Sequence, residues 1–481
     1  MGALSHKDMV HIQSFQDAET PVFKLAHITA NSTDRSNGNL SVRLLAFDLS
    51  RTLSYASSLP ATSGPAEVKT ATPQSPAEKL MSSINPPSPL VQAYARLPVS
   101  FERGDGVRLW DQHGNEYLDA LGGIAVCALG HSHPSITRAI TEQAQTLLHT
   151  SNLFSVTHQH NLAQKLCELT GMDAVFFCNS GAEANEAAIK LSRLHARKRK
   201  VENPKVIAFN GSFHGRTMAT LSATGNEKVW HGFEPLVGQF LHLPYNDIAA
   251  IEHAAENHTD IVAVMVEPIL GEGGIVVPDD NFLAGIRALC DQHDWLMMCD
   301  EIQTGVGRTG HWYASIGQGV MPDVITSAKA LGNGIPIGAC LTRGSAAALI
   351  QPGHHGSTFG GNPFATRVAL AVLETMQQDQ IPSNARNTGN RLRDRLNEAL
   401  HNRSEVKEIR GQGMMLGIEL TTDCSKLVNT GLNNRVIFNV TAGNVLRLLP
   451  PCNLDENEVD EIARRVADSV IELCDNEMAV N

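Results

Sequence analysis

Hydrophobic positions are organised unevenly along the chain. Over residues 1 to about 80 no apolar periodicity persists, and Ser, Thr, Pro and Ala dominate Ser54 to Pro76. Such a composition does not build a packed core. From about Leu90 the pattern changes. Gly106 to Leu118 reads as a β-hairpin turning through Gln112–Asn115. A helix is predicted after Pro134, with Ile136, Ile140 and Ala144 on one face. Short apolar runs then recur between stretches of helical spacing. Val175–Cys178 precedes a helix over Glu183–Leu194, and Lys205–Phe209, Ile261–Val266, Leu296–Cys299 and Val324–Ile325 continue the series. This alternation predicts an α/β architecture with a mostly parallel sheet covered by helices. From about Ala365 a long amphipathic helix, strands near Met414–Leu420 and Val445–Leu448, and a final helix from about Asn457 predict a second, smaller α+β domain.

Composition narrows the function classes. The chain has 481 residues, 42% hydrophobic and 18% charged, with 38 Lys+Arg against 50 Asp+Glu and a net charge of -12. Its one basic run, Arg197–Lys200, falls at the end of a predicted helix, where cations suit the helix dipole. An acidic chain with one such run is a poor nucleic-acid binder. No apolar run is long enough to span a bilayer. Nine cysteines without a CxxC pair fit reduced thiols in a cytosol-like compartment. The histidine pairs His131/His133, His158/His160 and His354/His355 lack an HExxH pattern and read as structural or surface residues, so no metal site is expected. Early acids at Asp8, Asp17 and Glu19 and the lack of an apolar signal core argue against a transit or signal peptide. Translation is expected to start at Met81, with residues 1–80 a disordered or untranslated extension. An organelle-targeting tail is the alternative, and a cytoplasmic location is the expectation.

Two residues carry the chemistry. Asp300 ends the run Trp295–Cys299, and Lys329 sits in the small-residue turn Thr326–Gly332. A lysine so placed can form a Schiff base with pyridoxal phosphate (PLP), and a strand-end acid can keep the pyridine nitrogen protonated. Asn179–Glu186 lies where a strand becomes a helix, a natural anion site, although a plain N-cap reads the same way. Gly211–Thr217 offers Phe213 for a flat ring and Arg216 for a carboxylate, or simply a turn with a core Phe. Glu267–Gly274 follows a buried strand, and His355–Pro363 is a hydroxyl-bearing glycine loop. Gly305–Gly310 matches GxGxxG, but Asp300, Glu301 and Gln303 separate it from its strand and no clear helix follows. A flexible loop is the expectation there, and a nicotinamide-dependent dehydrogenase is the rival from another class.

Taken in order, Ser180–Asn185, Phe213–Arg216, Glu267–Pro268 with Gly271–Gly274, Asp300–Gln303, Ser327–Lys329 and Gly356–Thr358 resemble the class III PLP-dependent aminotransferases, most closely those acting on acetylornithine. The likeness runs from about Tyr94 essentially to the C-terminus. It implies a fold type I transferase: a segment 81–133 belonging to the small domain, a large PLP-binding domain over 134–364 and a C-terminal small domain over 365–481. It implies that Lys329 carries the cofactor and moves protons, and that Asp300 pairs with the ring nitrogen. Gln303 would bond the ring oxygen, Phe213 would stack on the ring, and Ser180, Gly181 and Ala182 would hold the phosphate. Thr358 would reach it from a neighbouring subunit, so a homodimer with shared sites is implied. Arg216 and Arg447 would take substrate carboxylates, Glu272 would cover Arg447 between them, and Ser357 would touch the acylated substrate. Tyr94 matches a tyrosine that ornithine enzymes place near substrate, whereas Ile124 falls where those enzymes carry a second tyrosine. The implied reaction moves the terminal amine of acetylornithine to 2-oxoglutarate, in arginine biosynthesis. Ornithine, succinylornithine, succinyldiaminopimelate and 4-aminobutyrate are the alternatives, since an acyl group is read by shape.

Overall fold

In the computed structural model residues 89–478 are described. The extension over residues 1–80 and the start at Met81 lie outside them. The chain divides between Ala95 and Arg96 into two units. The described part of the first, residues 89–95, is irregular and holds Tyr94, whose side chain is exposed.

The second unit opens with an antiparallel meander of β1 (Phe101–Asp105), β2 (Arg108–Asp111) and β3 (Glu116–Asp119). The expected hairpin is β2–β3. It closes because the Asp111 carboxylate accepts the N–H groups of His113 and Asn115, an Asx turn. Two helices follow, α1 (Pro134–Thr146) and α2 (Thr157–Thr170). The buried stripe of α1 is Ile136, Ala139 and Gln143, and Ala144 is exposed, unlike the expected face. Gln143 takes the inner place because its amide donates to the carbonyl of Leu147 at 2.7 Å, closing the helix end.

The central sheet contains β4 (Ala174–Cys178), β5 (Lys205–Phe209), β6 (Phe240–Leu243), β7 (Ile261–Val266), β8 (Leu296–Asp300), β9 (Val324–Ser327) and β10 (Gly338–Thr342), in the order β4-β10-β9-β8-β7-β5-β6. Only β10 runs against its neighbours. Helices α3 (Gly181–Lys198), α4 (Ile248–Asn257) and α5 (Phe282–His293) cover it. Both faces of β7 are dry, which is why it reads as an unbroken apolar run. Ile261 and Val264 pack with Phe282, Leu283 and Ile286 of α5 on one side. Val262 and Met265 pack with Ala187, Ala188 and Leu191 of α3 on the other.

Beyond the sheet come α6 (Pro363–Gln378), α7 (Ile381–Leu400), β11 (Val406–Gln412), β12 (Met415–Leu420), β13 (Val436–Ile437), β14 (Asn439–Thr441), β15 (Val445–Leu448) and α8 (Glu456–Met478). The single long helix expected from Ala365 is two helices. Gln380 is left-handed at φ 51°, and Pro382 opens the second helix. Strands β11, β12, β15 and β14 form an antiparallel sheet, while β13 pairs parallel with β3 and joins the C-terminal region to the opening meander. Among the described residues no helix is long and apolar enough to cross a membrane.

The turn after β3 is held in an uncommon shape. Gly122, Gly123, Ile124 and Ala125 all have positive φ, between 57° and 65°. Gly122 is required, since a Cβ there would lie 2.9 Å from the Leu449 carbonyl oxygen. For Ile124 and Ala125 the conformation is strained. Asp119 holds the turn: one oxygen accepts the N–H groups of Leu121 (3.0 Å) and Gly122 (2.8 Å), the other accepts Nε2 of His131 at 2.7 Å. That bond to Asp119, followed by one to Cys127, raises the His131 imidazole to about 10. A raised imidazole stabilises the fold fully below the ordinary histidine range, and the contribution fades as pH rises through about 10. Asp119→Asn is therefore expected to cost about 2 kcal/mol at pH 7. It should also flatten the fall in stability between pH 7 and pH 10, as followed by urea unfolding at several pH values.

Candidate active site

The parallel strands bring their carboxyl ends to one edge of the central sheet, the edge at which open α/β sheets bind ligands. Five connections meet there: 179–181 after β4, 210–217 after β5, Glu267 onward after β7, Asp300 onward at the end of β8, and Ala328–Lys329 after β9. They enclose a cavity of about 470 Å³ whose walls include Ser180, Gly181, Ala182, Phe213, Arg216, Glu267, Asp300, Gln303 and Lys329.

Asp300 is buried, 3% exposed. Its Oδ2 accepts Nδ1 of His214 and Nδ2 of Asn185, each at 2.7 Å, and its Oδ1 accepts the N–H of Ile302 at 3.1 Å. Asn185 also donates to the backbone carbonyl of His214 at 2.8 Å, so the three residues form a closed triangle. Such an arrangement fixes a carboxylate in one direction inside a low-dielectric wall. Next to it, Glu301 points away from the cavity. Its carboxylate is buried and accepts the N–H groups of Ala314 (2.8 Å) and Ser315 (2.7 Å) and the hydroxyls of Ser315 (2.7 Å) and Thr304 (2.6 Å). It thereby holds the turn that carries Asp300 and Gln303.

Lys329 stands at the cavity wall with φ 47°, a left-handed conformation that a non-glycine residue adopts only where its surroundings impose it. Burial, and next the charge of Arg447, lower its amine below the ordinary lysine range, which favours a neutral nucleophile. Ser180 is the N-cap of α3, its hydroxyl accepting the N–H of Glu183 at 3.2 Å. The helix start at Gly181 and Ala182 thus faces the cavity with free backbone N–H character, suited to a phosphate. Phe213 forms a wall, and the Arg216 guanidinium lies 5.6 Å from its ring centre.

Arg447 comes from β15. It is fully buried, and its Nη1 donates to Glu272 Oε1 at 2.6 Å and to Gln303 Oε1 at 3.4 Å, while Nε donates to Asn439 Oδ1 at 3.1 Å. Its Nη2 is buried without a hydrogen-bond partner among the described residues. A buried guanidinium with one unfilled fork calls for another acceptor, such as a carboxylate. The loop bearing Glu272 is pinned from the small antiparallel sheet: Arg410 donates to the carbonyls of Gly274 (2.6 Å) and Ile275 (2.9 Å), and the Thr441 hydroxyl to that of Glu272.

The remaining sequence candidates fall elsewhere. Ser357 and Thr358 line a larger hollow of about 1100 Å³ together with Asn152 and Phe176, and Thr358 is exposed. Ser357 touches the first cavity indirectly, its hydroxyl accepting from Asn179 at 3.2 Å. Ile124 is part-exposed in the strained turn, whose neighbour Val126 reaches the cavity wall. Tyr94 lies in the first unit. The loop Gly305–Gly310, expected to be flexible, is buried throughout. Arg308 is the reason, since its side chain is enclosed and donates to the carbonyls of Met414 (3.0 Å) and Pro450. His214, Asn185, Glu267 and Glu301 lie inside motifs visible in the sequence but had no assigned task. Asn439 gave no signal at all.

The residues fit PLP: a helix N-terminus for a phosphate, an aromatic wall for a ring, a fixed carboxylate, and an amine with a lowered pKa around one cavity. Comparison with known proteins agrees in kind. The aminotransferase class-III family profile matches residues 91–470. The acetylornithine aminotransferase of Nitrosomonas europaea is 50% identical over 380 residues, covering 79% of this chain and 97% of that one. The crystal structure of N-acetylornithine aminotransferase from Stenotrophomonas maltophilia superposes with a TM-score of 0.70 at 36% identity, covering 80% of this chain and 98% of that one. An ornithine aminotransferase from Toxoplasma gondii, with partial occupancy of PLP at its active site, gives 0.78 at 34% identity, covering 81% and 93%.

The support of the site is itself testable. Glu301→Ala would leave the buried N–H groups of Ala314 and Ser315 without acceptors, at an expected cost of about 3 kcal/mol. The shift of the urea unfolding midpoint measures it, and an unchanged midpoint would contradict the role given to Glu301.

Proposed function

This chain belongs to the class-III aminotransferases, and on that premise we propose that it moves the terminal amine of acetylornithine to 2-oxoglutarate, in arginine biosynthesis, with PLP as cofactor. The observation that carries the reading is Arg447, buried with an unfilled nitrogen and covered by Glu272 beside the Lys329 cavity. When bound, PLP supplies an aldehyde carbon that accepts and returns an amine, and a ring that draws electrons from it. Lys329 holds the cofactor and moves a proton at the substrate carbon that bears the amine. Asp300, oriented by His214 and Asn185, keeps the ring nitrogen protonated. Ser180, Gly181 and Ala182 bind the phosphate, Phe213 covers the ring, and Gln303 bonds the ring oxygen while receiving Arg447 on its other side.

Two amine donors must use this one pocket. Arg216, exposed at the mouth, takes the distal carboxylate of glutamate or the α-carboxylate of acetylornithine. Arg447 takes the α-carboxylate of glutamate only when Glu272 gives way. Glu272 is well placed for that exchange because it is half-exposed while its partner is not. A buried guanidinium left uncovered is costly, so the ion pair closes when a monocarboxylate is bound. Ile124 presents an apolar side chain to the acyl end, Ser357 sits at the rim through Asn179, and Tyr94 is assigned to the substrate mouth by resemblance alone. Ornithine remains the competing donor, because the Toxoplasma gondii ornithine enzyme shares the fold with the higher TM-score.

The active form is proposed to be a homodimer with Thr358 supplied across the interface. Exposed Leu153 in the hollow that holds Thr358, with exposed Phe154 and Phe359 next to its lining residues in the chain, supports this. The pairing of β13 with β3 supports a small domain built from segment 81–133 and residues 365–481, around a large domain over 134–364. Nine free thiols, seven of them buried, support a reducing, cytoplasmic location. The purified holoenzyme is expected to be yellow and to bleach on adding glutamate, and Lys329→Ala to be inactive. Rates on acetylornithine should exceed those on free ornithine and 4-aminobutyrate, with succinylornithine measured alongside. A clear preference for ornithine would overturn the substrate assignment and the role of Ile124.

A further inference from the structure

Glu267 follows β7 directly, is 5% exposed and lines the Lys329 cavity. Its two carboxylate oxygens do separate work. Oε1 accepts the N–H of Phe213 at 2.7 Å, and Oε2 accepts the N–H of Gly271 at 3.0 Å. Those donors belong to two different loops. One, residues 211–217, presents the ring-covering Phe213 and Arg216. The other, residues 270–275, presents Glu272, the cover of Arg447. The loops also touch directly, since a Cβ on Gly273 would lie 2.6 Å from the carbonyl oxygen of Gly211. A Cβ on Gly271 would lie 2.5 Å from Gln303 Nε2, so the second loop rests on the side chain that meets Arg447. Neither oxygen is bonded by an arginine or lysine among the described residues. The backbone of Glu267 is anchored separately, its carbonyl accepting the Tyr245 hydroxyl at 2.9 Å.

We propose that Glu267 is the positioning residue that locks the Phe213 loop to the Glu272 loop, so that ring cover and carboxylate gate move as one piece. The assignment of those two loops rests on the aminotransferase reading above. The lock itself rests on the two N–H bonds and the glycine contacts. Only an ionised carboxylate offers both oxygens as full acceptors. A neutral carboxyl turns one oxygen into a donor, and with either bond lost the two loops no longer brace each other and both loosen. The groups facing Glu267 are His214 on the first loop, Asp300 from β8, Lys329 after β9 and Tyr245 after β6, with Glu272 paired to Arg447 beyond Gly271. Burial is the largest influence and, with the Asp300 charge, lifts the carboxyl to about 7, against the His214 charge and the two N–H bonds. The sign differs from that of an ordinary clamp. A raised carboxyl pKa makes the fold lose stability as pH rises from the carboxylate range to about 7, while the lock engages over the same interval. A purely structural bond would strengthen the fold as it forms.

Hydrogen–deuterium exchange on the full-length protein tests this, with rates corrected for intrinsic exchange at each pH. In the parent, peptides covering 211–217 and 270–275 are expected to exchange slowly at pH 8 and about 5-fold faster at pH 6, both together, as befits one lost hydrogen bond. In Glu267→Gln, which keeps the size but offers one acceptor and does not titrate, both should exchange fast at either pH. A pH step that persists in the variant, or a change confined to one loop, overturns the proposal. If the variant does not fold, the parent alone decides, and loops that do not loosen together between pH 8 and pH 6 refute it. Exchange needs neither cofactor nor substrate. A failure of the aminotransferase reading would instead appear as a missing PLP absorbance with the coupled loops intact.

Discussion

The Asp300 carboxylate is the constraint on which the rest of the site depends. Its burial would be costly without partners, and His214 and Asn185 supply two strong donors from the loop after β5 and from the first turns of α3. Those donors are themselves tied, Asn185 to the His214 carbonyl. One acid therefore sets the relative positions of the end of β8, the loop after β5 and the helix after β4.

Beside that fixed point, a second buried charge is only partly covered. Arg447 is wholly enclosed, yet Glu272, Gln303 and Asn439 leave one of its nitrogens unfilled. Its charge also bears on Lys329, whose amine burial and Arg447 hold down while Glu272, Asp300 and Glu267 pull it up. In the proposed cycle, swapping Glu272 for a substrate carboxylate would conserve the charge facing Arg447. The amine would then keep its character through both halves. Glu267 adds a mechanical link, joining the loop of the gate to the loop of the aromatic cover through a single carboxylate.

Much of this was legible in order along the chain. Ile261–Val266 and Leu296–Asp300 read as buried strands because both of their faces are dry, and no competing period confuses an unbroken apolar run. Asp300 and Lys329 stood out because an acid at the end of such a run and a lysine in a small-residue turn are rare placements. Other features were harder. The stripe on α1 departs from the expected Ala144 because Gln143 satisfies its amide on the carbonyl of Leu147 at the helix end and so can be buried. The break between α6 and α7 was missed because one left-handed residue, Gln380, leaves the apolar spacing on either side intact. The glycine loop at 305–310 looked mobile because glycines suggest freedom, whereas the burial of Arg308 depends on carbonyls more than 100 residues away.

The sequence by itself determined the architecture and the type of chemistry, because strand burial, helix starts and strand-end acids are local patterns with local physical causes. It also pointed to Arg447 and Glu272, but only by likeness. Only the tertiary structure decided which groups share an environment. The triangle on Asp300, the half-filled Arg447 and the two-loop grip of Glu267 join residues from separate crossovers. Their distances follow from how the sheet twists and how the small antiparallel sheet packs over its edge, and no spacing along the chain encodes that.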